Sequence, residues 1–173
     1  MGTDTVLLQY LLKSALIELC GWIEKSQDLL LKNCGDQLKL NAAAKDVLAD
    51  KIKNNYGFSY NKHFRELLCF LIGIHAVVLI EKELGQTVFE TFKADLGNLK
   101  SKRDEHAHGY IDGNPVFFGI DRCVMYYSSV RTVLVAFEVQ LSELAARSAR
   151  QRDRYSDTSY SLLLDPPNFA RHL

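Results

Sequence analysis

The chain predicts an all-α protein, an antiparallel bundle of four to five helices. Three observations carry this: apolar residues recur at steps of three and four over most of its 173 residues, capping residues precede the periodic runs, and strand-like alternation is absent. At 47% hydrophobic residues the chain has enough apolar surface for one packed core.

From Val6 to Leu31 the apolar positions Leu8, Leu11, Leu12, Ala15, Leu16, Leu19, Trp22 and Ile23 form a wide stripe on a first helix. The tetrapeptide NCGD is expected to break it, with Cys34 at the helix end. Asn41 is placed to cap a second helix, AAAKDVLADKIKN, which NNYG stops. A third is expected from about Asn61 to Leu84, with Gly85 as its C-terminal stop. Thr87 caps a fourth, with Phe89, Phe92, Leu96 and Leu99 on one side. The segment 109–119, GYIDGNPVFFG, reads as a turn with room for a short hairpin. A last helix carries Ile120, Val124, Tyr127, Val130, Leu134, Phe137, Leu141 and Leu144. The organisation expected is a helical bundle over 1–146 and an irregular Arg/Ser/Tyr-rich tail over 147–173.

Twenty-one basic residues balance twenty-one acidic ones, which gives no bulk signature of a DNA-coating protein, so DNA is not expected as a partner. The four cysteines include no C-x-x-C pair and read as reduced thiols of a cytoplasmic protein. The N-terminus lacks a basic signal-peptide start. The apolar run over 67–80 is shorter than the roughly 18 residues needed to cross a bilayer, so a membrane is not expected. His75 reads as a core histidine, and His63, beside Lys62 and Arg65, as a surface one or an addition to a cationic rim.

The densest chemistry lies in KSKRDEHAHGYIDG, residues 100–113. One reading is a helix end: Lys100, Lys102 and Arg103 complement the negative end of the helix dipole, and Gly109 terminates the helix. The other is a phosphate-handling site. Arg103 offers a planar, permanently charged fork for a phosphodiester, and His108 titrates near neutrality and can move a proton at a ribose hydroxyl. Five helical steps turn roughly 140°, so the two side chains share a cleft only if the helix ends or loosens by Gly109. Lys100, Lys102 and His106 are candidate RNA contacts. Asp104 either orients Arg103 or His108 or is solvated. His106 and His108 alone fall short of the three or four ligands a zinc site wants, so no metal or other cofactor is expected. The arginines of 147–154, with Tyr155 and Tyr160, mix cations and stacking rings in a way that suits single-stranded RNA, or form a solvated terminus.

At Arg103, Asp104 and His108 the chain resembles the HEPN superfamily, marked by Arg, a polar residue, a short spacer and His. RDEHAHGY also resembles the Arg-x4-His-x-Tyr of HEPN toxins paired with a minimal nucleotidyltransferase antitoxin. The resemblance implies a metal-independent ribonuclease, acting as a homodimer whose Arg–His pairs line one cleft, in toxin or antiviral defence. It further implies that Tyr110 is the residue to which an antitoxin attaches AMP; packing beside a turn is the alternative for this tyrosine. A helical dimer module that binds a nucleotide, RNA or a protein without turnover is the competing functional class.

Overall fold

The structure is a computed structural model that describes residues 3–108 and 119–164, with side chains over 6–106 and 119–152. Six α-helices and one π-helical turn make up these residues, and no strand occurs among them: α1 Thr3–Gln37, α2 Ala42–Lys53, the π turn Tyr60–Phe64, α3 Arg65–Ile72, α4 Ile74–Glu83, α5 Gln86–His108 and α6 Ile120–Leu164. The all-α expectation holds. The hairpin expected in 109–119 lies outside the described residues, Gly119 excepted.

The main packing joins α1 to α6, α5 to α6 and α1 to α5. Leu16, Ile23, Leu31, Phe92, Leu96, Leu99, Val130 and Phe137 are fully buried at this junction. An aromatic cluster ties the π turn into it. Tyr60 lies edge-on to Phe89 with centroids 4.8 Å apart, and Phe64 meets Phe137 at 5.4 Å. Around that cluster the Tyr60 hydroxyl donates to Glu81 Oε1 at 2.8 Å, and Arg65 Nε donates to the same oxygen at 2.6 Å. The turn that leads into α3 is therefore fixed to both α4 and the core.

α2 follows its sequence signals: Asn41 Oδ1 accepts from the Ala44 N–H at 2.9 Å, and the helix spans Ala42–Lys53. Elsewhere the elements differ from expectation. NCGD does not end α1, which runs to Gln37 with Cys34 buried. Gly35 is where α2 closes on α1: a Cβ there would lie 3.0 Å from Leu48 Cδ2. The expected third helix is two helices, broken at Gly73 (φ 83°, ψ 151°). That conformation is essentially reserved for glycine, and the segments on either side of it meet at a bend of 119°. Thr87 lies inside α5, and its carbonyl accepts from Thr91 Oγ1 at 2.9 Å. The final helix does not stop at Ala146 but continues to Leu164. Arg152 Nη2, on this extension, donates to the Leu38 carbonyl at 3.0 Å, beyond the end of α1.

Two histidine expectations are reversed. His75 is exposed, and His63, expected on the surface, is 9% exposed within the π turn. The first portions of α1 and α6 are not covered by the bundle: Leu7, Leu8, Tyr10 and Leu11, and Ile120, Val124 and Met125, are all exposed. By length and composition alone, Val6–Gln37 is long and apolar enough to cross a bilayer, a property that core helices share.

Candidate functional site

Arg103 owes its place to the periodicity of α5. Phe89, Phe92, Leu96 and Leu99 are buried, and the next steps of four and three along that stripe reach Arg103 and His106. The cation therefore stands where the apolar stripe leaves the core. Its guanidinium carbon lies 5.2 Å from the centroid of the Phe58 ring, a cation–π contact, with the side chain 30% exposed. Phe58 itself is buried, so the charge rests on a fixed platform.

The segment that carries Phe58 is pinned to α1. Gln27, 3% exposed, donates from Nε2 to the Phe58 carbonyl at 3.0 Å. Glu24 Oε1 accepts from the Gly57 N–H at 3.0 Å. Gly57 has φ +133°, and a Cβ there would meet the His63 ring at 2.8 Å. His63 is in turn held by a 2.7 Å contact between its Nδ1 and Ser59 Oγ. The Ser59 carbonyl accepts from the N–H groups of both His63 and Phe64, at 3.1 and 3.4 Å, which opens the π turn. Such turns recur at functional sites. Burial lowers the His63 pKa, with Lys62 and Lys100 acting in the same direction against Glu24 and Glu66.

Asp104 pairs with Arg103: its Oδ1 accepts from Arg103 Nε at 3.3 Å and from Nη2 at 3.2 Å. Its other oxygen accepts from Lys100 Nζ at 2.5 Å. The hydrogen bond from Lys100 is the main cause that holds the Asp104 carboxyl below the usual range, and Arg103 adds to it. Lys102 makes a 2.7 Å pair with Glu105. His106 is half-buried on the inward stripe, and its Nε2 is buried without a hydrogen-bond partner. Arg103 also acts on the core beneath it: burial pushes the Cys20 thiol up to about 11, and the guanidinium opposes that rise.

α5 stays helical through His108, so positions 103 and 108 lie roughly 140° apart round one helix axis. The side chain of His108 and the whole of Tyr110 lie outside the described residues. Sequence reasoning missed Glu24, Gln27, Gly57, Phe58 and Ser59, and placed His63 on the surface. The one local signal was the glycine amid aromatic residues in NNYGFSYNKH. Among the described residues no group of three His, Cys, Asp or Glu side chains gathers in a way that could hold a metal ion. No protein-family model, curated protein or solved structure matches the chain.

Proposed function

We propose that the protein is a metal-independent endoribonuclease of HEPN type, a cytoplasmic toxin or antiviral defence effector that works as a homodimer. The observation that carries this reading is the Arg103 guanidinium, held over buried Phe58 yet partly open to solvent. A preset cation of this kind stabilises charge as it builds on a phosphate without reorganising during reaction.

In the proposed reaction the ribose 2′-hydroxyl attacks the adjacent phosphorus. A bond from O2′ to phosphorus forms and the bond from phosphorus to O5′ breaks. His108 takes the proton from the 2′-hydroxyl, and a proton is returned to the departing 5′-oxygen. Arg103 binds the non-bridging oxygens, Asp104 keeps the guanidinium in orientation, and Lys100, Lys102 and His106 flank the strand. Because positions 103 and 108 diverge on a continuous helix, the cleft draws on two copies. The apolar residues left open on α1 and α6 support that pairing. The resemblance adds a nucleotidyltransferase antitoxin as regulator: AMP on Tyr110, two residues from His108, would block the cleft and repel RNA.

The test is cleavage of RNA in EDTA. The unmutated chain is expected to cut, and His108→Ala and Arg103→Ala to lose at least about a hundredfold in rate, His108→Ala with little change in thermal midpoint and Arg103→Ala with only the loss of its contact with Phe58, about 1 kcal/mol. Equal cutting by the variants removes the assignment. Light scattering at micromolar concentration is expected to give twice the chain mass, and Leu11→Glu to halve it.

One observation favours the second class, a non-catalytic binding module. Asp104 already occupies the polar edges of both Arg103 and Lys100, as a carboxylate does in an ordinary surface pair. Tight RNA binding with no turnover would select it.

A further inference from the structure

Between α2 and the π turn with α3 lies a cleft of about 530 Å³, within the usual size of small-ligand sites. Its walls are two facing helical surfaces. Asp50, Lys51 and Asn54 on one side stand opposite His63, Glu66 and Phe70 on the other, and Asn55 follows at the end of α2. Phe70 is 49% exposed, and the Lys51 ammonium sits 4.6 Å above its ring centroid. A half-exposed aromatic ring, with a movable lysine over its face, thus lines the cleft beside amide and carboxylate groups. These are the two kinds of contact by which an unstacked base is held: a π surface, and donors and acceptors in its plane.

Charge decides which end of a nucleotide enters. The carboxylates of Asp50 and Glu66 disfavour a phosphate inside the cleft and accept hydrogen bonds from the amino and imino groups of a base. The cation Arg103 adjoins the segment that bounds the cleft. The His63 ring packs on Gly57, and Arg103 rests on the next residue, Phe58.

We propose that the α2–α3 cleft is a nucleobase subsite for single-stranded RNA, in which Phe70 stacks on a base while Asn54, Asn55 and the carboxylates of Asp50 and Glu66 meet its edges. The ligand class rests on the ribonuclease reading. The strand crosses the Gly57–Phe58 segment, so that a neighbouring phosphate reaches Arg103 while the base is held in the cleft. As the base enters, Lys51 leaves the ring for the sugar–phosphate backbone.

The experiment is fluorescence anisotropy on the full chain, with His108→Ala to keep the strand whole. The probe is a fluorescein-labelled single-stranded RNA of about twelve nucleotides. Phe70→Ala is expected to weaken binding on the order of tenfold, with its thermal midpoint lowered by only a few degrees because the ring is half exposed. Phe70→Trp is expected to retain affinity. A strand of the same length made of abasic residues is expected to bind both proteins equally. Phe70→Ala binding within about twofold of its parent, or no RNA binding by the parent, overturns the subsite. Weakened binding in Phe70→Ala while the unmutated chain leaves RNA intact keeps the subsite and removes the nuclease. Cleavage by the unmutated chain with Phe70→Ala binding unaltered does the reverse.

Discussion

Gly57→Ala is the sharpest test of how Arg103 is supported. An alanine Cβ would lie 2.8 Å from His63 Cε1 and 3.0 Å from Nε2, on a backbone with φ +133°. The backbone strain alone costs about 1–3 kcal/mol. The imidazole must also move, which breaks its contact with Ser59 Oγ at about 1 kcal/mol and overpacks the site by about 1–3 kcal/mol. A total of about 5 kcal/mol lowers the midpoint of a chain this size by roughly 10–20 °C. Gly73→Ala is the control. Its φ is also positive, but nothing lies within 4 Å of the added Cβ, so only the backbone cost of about 1–3 kcal/mol applies. Equilibrium urea unfolding, followed by far-UV circular dichroism, is expected to rank Gly57→Ala as the more damaging. In a His63→Ala background the ring is gone, and Gly57→Ala should then cost no more than the control. The reasoning predicts a coupling of at least about 1.5 kcal/mol between the two sites. If the two losses add to within about 0.5 kcal/mol, the imidazole does not wall in Gly57, and the account of how Phe58 is held fails with it.

Two further measurements probe the same support. Gln27→Leu leaves the Phe58 carbonyl, now bonded at 3.0 Å, without a donor, and is expected to cost about 1–3 kcal/mol in urea unfolding; a loss under about 0.5 kcal/mol would mean that solvent already serves that carbonyl. The second is a pH dependence. The folded pKa of His63 is depressed, first by burial, with Lys62, Glu24, Glu66 and Lys100 around it. The unfolded chain therefore binds the proton more tightly. This contribution to stability is complete above the unfolded value near pH 6.5 and is lost as pH falls through the folded value. Thermal midpoints measured from about pH 7.5 down to 5 should decline, and His63→Gln should flatten the slope. An unchanged slope in the variant would assign the decline to other groups.

What was legible in the sequence follows from how local its causes are. α2 could be bounded because both ends depend on nearby residues: Asn41 caps one, and the helix formers give out at the other. The fold class was legible for the same reason, since periodicity is a local property. The third helix failed where the phase of the pattern carried no information. From Leu67 to Ile80 the chain is apolar nearly all round, so no face is marked, and only the conformation at Gly73 sets which side is turned inward. With that bend unread, His75 was assigned to the core; His63 was assigned to the surface because the π turn and the Gly57 contact that bury it leave no periodic mark. NCGD was misread in the opposite sense. A glycine within a helix costs about 1 kcal/mol, yet here it lets Leu48 approach α1 to 3.0 Å from where a Cβ would be, and tertiary packing prevails over propensity.

The candidate site divides along the same line. Arg103 and Asp104 stood out because charge at the end of an apolar stripe is visible one residue at a time, and Asp104 does hold Arg103. Phe58, Gln27 and Glu24 were invisible because their roles exist only once a loop 31–33 residues away in sequence is laid on α1. The consequence for mechanism concerns preorganisation. An arginine on a freely solvated helix end must be ordered by its substrate, whereas one seated on a buried ring, itself pinned by two hydrogen bonds to another helix, is ordered by folding. If the ribonuclease reading is right, disrupting that remote support should lower turnover more than it lowers affinity for RNA. Interactions that sharpen in the transition state depend on placement, while ground-state attraction to phosphate depends mainly on charge.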